Sequence, residues 1–278
     1  MSPPPQCTLP QCRASYRGGV PDIVLPHAVL AALWIPRIAG DDLPRLAELP
    51  RAVAAVTGAE ESHIVEPGAL GARVTSLAQL LGWFAAQGPH EIGAVLPRPG
   101  HVAGLPQVVL HDALAAEQCL VISGQHGSWA AVPTSEPFGS ALEPGVLVRW
   151  RVRELPPTEL PAAVLLGSLG SLGEARRDVA AATSNATEAL AALSTLDYPA
   201  TSVTLGELPD DVLPPGLPAR RLELLSRCAR LLGIVQAAQT VEASLSSGEA
   251  RTRRRELHEL ETVARRGLST ASLSLGQP

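Results

Sequence analysis

Between Pro144 and Leu155 the chain reads PGVLVRWRVREL, and two kinds of side chain alternate along it. Val146, Val148, Trp150 and Val152 fall on one side of an extended backbone, and Arg149, Arg151 and Arg153 fall on the other. That period of two predicts a strand with one buried face. The shorter apolar runs EIGAVL and CLVIS predict central strands, and SHIVEPG predicts a short strand ending in a turn. SWAAV follows CLVIS across GQHG, so these two runs are expected to form a β-hairpin with four loop residues.

Helical periods lie on both sides of this strand-rich stretch. LPHAVLAALWIPRIAG opens on Pro26, which suits a first helical turn, and Asp41 or Asp42 can cap a second helix ahead of Pro44. In TSLAQLLGWFAAQG, Thr75 or Ser76 is the expected N-cap, and Leu77, Leu80, Leu81 and Phe84 form the buried stripe. Gly88 ends that helix. QVVLHDALAAEQ predicts another helix. After Leu155 no further strand is expected. LLGSLGSLGEA predicts a break or hinge, and Leu172, Val179, Ala186, Leu190 and Leu193 mark one face of a long helix. Two final helices carry stripes of Leu222, Leu225, Cys228, Leu232 and Val235, and of Leu257, Leu260, Ala264 and Leu268. The short SSG linker between them predicts an antiparallel αα-hairpin.

The fold expected is therefore α+β, or α/β: a small mixed β-sheet flanked by helices, then an all-helical C-terminal region ending in an αα-hairpin. The expected organisation is a flexible N-terminal tail over 1–20, a sheet domain over 21–155 and a helical domain over 156–270. A Pro-rich connector over 198–218 interrupts the helical domain, and a flexible tail covers 271–278.

The stretches EIGAVLPRPGHVAGLPQVVLHDALAAEQCLVI (91–122) and LPARRLELLSRCARLLGIVQAA (217–238) resemble a group of uncharacterised proteins of high-GC actinobacteria. They share a strand, a Pro-Gly loop with GLP, a helix, a second strand and a terminal Arg/Leu hairpin. The likeness covers about half the chain in scattered pieces. It implies a lineage and no activity.

Composition narrows the chemistry. All 22 basic residues are arginine, so no lysine can form a Schiff base or ligate phosphate in a P-loop. Net charge is −5 and aromatic residues are 3%, which disfavours general nucleic-acid binding. No apolar stretch is long enough to span a bilayer and the N-terminus lacks a signal-peptide pattern, so a cytoplasmic protein without membrane contact is expected. Cys7, Cys12, Cys119 and Cys228 have no zinc-ribbon spacing, and no metal and no cofactor are expected.

Four sets of residues remain as candidates. Arg149, Arg151 and Arg153 span roughly 13 Å of strand and could bind an anionic partner, although a polar outer strand face or pairing with Glu143, Glu154 or carboxylates on the C-terminal helices explains them as well. His101, His111, Asp112 and His126 fall on or beside loops at strand ends, where ligands of open sheets bind. Arg251, Arg253, Arg254 and Arg255 form a second basic patch, with Arg255–Glu259 and Glu261–Arg265 expected as helical ion pairs. Ser123 and Cys119 lie near His126 but lack the G-x-S-x-G context of a nucleophile. The leading expectation is a cytoplasmic, non-enzymatic scaffold or regulatory protein that binds a protein partner through the Arg149/Arg151/Arg153 face and the terminal helical hairpin, or associates with itself through the C-terminal helices. The alternatives are an enzyme or small-ligand binder built on the His101–His126 loops, and anion or nucleic-acid binding through the arginines.

Overall fold

A computed structural model of the chain describes residues 16–17, 20–21, 23–39, 47–58, 61–68, 70, 74–140, 143–156, 162–193, 207–209, 211–240 and 247–275. Its strands are β1 (Tyr16–Arg17), β2 (Val20–Pro21), β3 (Glu61–Val65), β4 (Pro89–Val95), β5 (Cys119–Gly124), β6 (Gly127–Gly139), β7 (Pro144–Leu155) and β8 (Ser274–Leu275). Its helices are α1 (His27–Ile38), α2 (Leu49–Thr57), α3 (Leu77–Ala86), α4 (Gln107–Ala116), α5 (Ala162–Gly167), α6 (Leu172–Leu193), α7 (Ala219–Thr240) and α8 (Ser247–Ser272). β1 and β2 form a separate ribbon, and the others make one six-stranded sheet in the order β3-β7-β6-β5-β4-β8.

The fold is α+β, as the periodicity predicts. β3 runs parallel to β7 with Ile64 opposite Arg149, and the other pairings of this sheet are antiparallel. The β5–β6 hairpin is tighter than expected. Gly124 pairs with Gly127, so only Gln125 and His126 turn the chain. β7 does not close the sheet, because β3 adds outside it. Strand character also returns after Leu155: Ser274 and Leu275, in the stretch expected to be tail, pair with Ile92 and Glu91 of β4. Two residues carry too little pattern for periodicity to find them. β6 outruns β5 as well, pairing with it only as far as Ala131 while staying paired with β7 to Gly139.

The alternation in β7 sorts its side chains between the two sides of the sheet. Val148, Trp150 and Val152 join the main core with α1, α2 and α3, where Trp34, Phe84, Leu80 and Leu81 are fully buried. Leu165, Leu166, Val109 and Val121 form a second core under α4 and α5. The α3 stripe is buried as expected, and Ser76 caps it in a capping box with Gln79. The predicted hinge falls between α5 and α6, with Gly170 at φ +81°.

The long helices pack as a bundle. Gly267 of α8 meets Cys228 of α7, and Arg253 donates to the Ala238 carbonyl at 2.7 Å, so α7 and α8 run antiparallel. Leu268 and Ala271 continue into the main core, which ties the bundle to the sheet. The described end of the connector is packed too: Trp34 Nε1 donates to the Val212 carbonyl at 2.9 Å. The Asp41/Asp42 cap and the whole stretch 198–206 lie outside the described residues. No helix among the described residues is long and apolar enough to cross a membrane.

Candidate functional site

The arginine row on β7 is engaged within the chain. Arg149 Nε donates to Glu136 Oε2 at 2.8 Å across the β6–β7 ladder. Arg151 Nε donates to Glu66 at 2.8 Å, and its Nη1 lies 2.9 Å from Asp112 of α4. These partners raise both guanidinium pKa values, through the Glu136 hydrogen bond at Arg149 and the Glu66 and then Asp112 bonds at Arg151. The carboxylates come from elements far apart in sequence, not from Glu143 or Glu154 beside the row. Arg153 is exposed. In the second basic patch, Arg251 and Arg254 bond to carbonyls of their own helix, at Ser247 and Ala250. Arg255 pairs with Glu256 at 2.8 Å rather than with Glu259, while the Glu261–Arg265 pair forms at 3.1 Å as predicted.

The four residues of the His101–His126 stretch are dispersed. Asp112 belongs to the Arg151 network, His111 is exposed on α4, and His126 is exposed in the β5–β6 turn. Their ligand atoms form no metal-sized group among the described residues. Cys119 is fully buried, and burial pushes its thiol up to about 12, which removes the thiolate a nucleophile needs.

His101 alone reaches a cleft, of about 220 Å³. The β4 strand ends at Val95, and the loop beyond it brings Leu96, Arg98, His101 and Ala103 to one wall. The turn between α5 and α6 supplies Ser168 and Leu169. The last turns of α8 supply Thr262, Arg265, Arg266 and Ser269. Every ionisable side chain lining the cleft is thus basic. Glu261, outside the lining, anchors two of them: Oε2 lies 2.6 Å from Arg98 Nη1 and Oε1 lies 3.1 Å from Arg265 Nε. Arg265 also pairs with Glu117, and Arg266 lies 3.6 Å from Asp178. Arg98 Nε is buried with no hydrogen-bond partner among the described residues. An arginine N–H left in that state is a strong donor awaiting an acceptor.

A second polar cluster forms where the start of α1 meets β3. His27 opens α1, and its Nδ1 donates to the Val56 carbonyl at 2.9 Å. Glu61 and His63 stand two residues apart on β3 and therefore share a face. Glu61 Oε2 lies 3.0 Å from His27 Nε2 and 3.3 Å from His63 Nε2. Trp150 Nε1 donates to His63 Nδ1 at 3.0 Å. Only 4% of the His27 side chain and 2% of His63 is exposed, against 14% of Glu61.

Two family models match, the Rv1486c-like protein N-terminal domain over residues 29–164 and the Rv1486c-like protein C-terminal domain over residues 173–269. The chain carries both domains of an Rv1486c-like protein. Both actinobacterial-like stretches noted above, 91–122 and 217–238, fall inside these matches. No curated protein and no solved structure matches the chain.

The family division shows how the cleft is assembled. Leu96, Arg98, His101 and Ala103 belong to the N-terminal Rv1486c-like domain, and Thr262, Arg265, Arg266 and Ser269 to the C-terminal one. Ser168 and Leu169 sit in the stretch between the two matches. Sequence reasoning reached His101 through its loop position but missed the three arginines, because Arg98 and Arg265 are separated by 167 positions and nothing local links them. It missed the His27 cluster for the same reason. The legible signal there was E-x-H with Glu61 one residue ahead of the predicted strand SHIVEPG, since residues two apart on a strand point the same way.

Proposed function

We propose that this protein binds a small oxyanion, a phosphate- or carboxylate-bearing molecule, in the cleft between its two Rv1486c-like domains. One observation carries the reading: Arg98, His101, Arg265 and Arg266 are the only ionisable groups lining the cleft among the described residues, and all are basic. Two domains converging on a pocket at a strand end is a common setting for ligand sites. Arginine forks suit phosphate and carboxylate oxygens, and the unpartnered Arg98 Nε offers a donor that a bound oxygen would satisfy. Arg265 is held by two carboxylates and serves as a fixed wall, whereas Arg266, about half exposed, can turn toward a ligand.

This reading develops the small-ligand alternative drawn from the His101 loop. Of the two surfaces behind the leading expectation of partner binding, the arginine row has Arg149 and Arg151 engaged by Glu136, Glu66 and Asp112, which leaves the C-terminal helical hairpin as its remaining support. A thermal-shift and calorimetric titration with inorganic phosphate, citrate and adenosine monophosphate tests the proposal. A ligand at a hundred times its Kd adds about 2.7 kcal/mol of stability. The expected result is a shift with at least one of these anions that is lost in Arg98→Gln and in Arg266→Ala. No shift with any of them, or a shift that both variants retain, would refute the cleft as the binding site.

A further inference from the structure

We infer that His27, Glu61 and His63 bind one divalent transition-metal ion of the zinc class, at a site separate from the arginine-lined cleft. Their three ligand atoms all lie within 4.8 Å of one another. A zinc ion with bonds of about 2.0–2.1 Å in tetrahedral geometry sets its ligand atoms roughly 3.3–3.4 Å apart. The two imidazole-to-carboxylate distances, 3.0 and 3.3 Å, are already close to that spacing. Two imidazoles and one carboxylate suit borderline ions and leave a fourth position for a water or ligand.

The surroundings of His27 are those of a metal ligand. Its Nδ1–H is spent on the Val56 carbonyl, which orients the ring and directs Nε2 toward Glu61. The two rings meet edge-to-face with centroids 4.8 Å apart, so both approach the carboxylate from different directions. The fold supplies rigidity, since α1 is buried along almost its whole length and β3 is held in register against β7.

Trp150 sets the strength of the site. Its indole N–H donates to His63 Nδ1, so a neutral His63 carries its own proton on Nε2. An ion bound at Nε2 requires the other neutral tautomer, in which the ring's single proton has moved from Nε2 to Nδ1, where it faces the indole N–H. Metal binding at His63 therefore breaks the Trp150 hydrogen bond. Removing the indole donor should tighten binding by about tenfold, the value of one net hydrogen bond.

The experiment is a titration of the tag-free, full-length protein with zinc chloride against a chromophoric chelator, together with X-ray absorption of the zinc-loaded wild type. The expected result is one zinc per chain in a shell of nitrogen and oxygen near 2.0 Å, with scattering from two imidazoles. His27→Gln and His63→Gln should weaken binding beyond the 10–100-fold that loss of an outer-shell partner causes. Trp150→Phe should bind more tightly than wild type. The wild-type spectrum decides the matter even if a variant fails to fold. Sulfur in the shell near 2.3 Å, no zinc retained by the wild type, or an affinity unchanged in Trp150→Phe would each overturn the assignment.

Discussion

Replacing Gly267 by alanine probes how closely α8 packs on α7. A Cβ built at Gly267 would lie 2.4 Å from Cys228 Sγ, 3.4 Å from Val179 Cγ2 and 3.7 Å from Leu224 Cδ1. Carbon contacts are most favourable near 3.5–4.0 Å, so the sulfur is more than 1 Å too close while the other two neighbours are acceptable. Cys228 is fully buried and its side chain is short, so the sulfur has little room to withdraw. Overpacking of this kind costs about 1–3 kcal/mol, and exchanging glycine for alanine inside a helix returns about 1 kcal/mol. Gly267→Ala should therefore destabilise the protein by about 1 kcal/mol, a shift of roughly 2–4 °C in a chain of this size. In a Cys228→Ala background the obstructing atom is gone, and the same substitution should be neutral or stabilising. Urea melts of the wild type, both single variants and the double variant, followed by circular dichroism, close the cycle. A coupling of at least about 1 kcal/mol is expected. Additivity within about 0.5 kcal/mol would refute the claim that this glycine is present because of the sulfur opposite it.

Two further perturbations have defined signs. Arg151 joins Glu66 of the β3 end to Asp112 of α4 and is about two-fifths exposed, so Arg151→Ala should lower stability by about 1 kcal/mol after solvent screening. Arg149→Ala, which removes only an exposed pair with Glu136, should leave the melting midpoint unchanged; equal losses in the two variants would contradict this ranking. Burial raises the Cys119 and Cys228 thiols from 9.0 to about 12. The unfolded chain therefore releases these protons first as pH rises above about 9. Stability should fall by roughly 1.4 kcal/mol per pH unit for each thiol between about 9 and 12. Melts at pH 8, 9 and 10 should show a shallower decline in Cys119→Ala, and an identical slope would refute the assignment.

The parts of this fold legible in the sequence are those whose signal is local. The α3 stripe of Leu77, Leu80, Leu81 and Phe84, its Ser76 cap and the Glu261–Arg265 pair each lie within a few turns of one helix. The alternation in β7 likewise assigns its faces correctly, with Trp150 inside and the arginines on the opposite face. What the pattern does not carry is which distant residue arrives opposite. Glu66 and Asp112 reach Arg151 only because β3 lies beside β7 and α4 lies across the sheet. His27 reaches Glu61 and His63 only because the start of α1 docks against β3. Arg98 and Arg265 become neighbours through Glu261, whose position on α8 matters only once that helix has docked against the sheet.

The overhang of β6 beyond β5 bears on how the chain behaves in a crowd. From Val132 to Gly139 this strand has β7 on one side and no other strand among the described residues on its second side. Such a margin is normally a template onto which another molecule can add a strand. Alternate N–H groups of an antiparallel strand face opposite neighbours, and proline fits a ladder only where its nitrogen faces away from the partner. Pro133, Ser135, Pro137 and Gly139 share that parity, and two of the four have no hydrogen to offer. A ribbon can thus protrude from the sheet while offering few free N–H donors to a strand from another molecule, a consequence of Pro133 and Pro137.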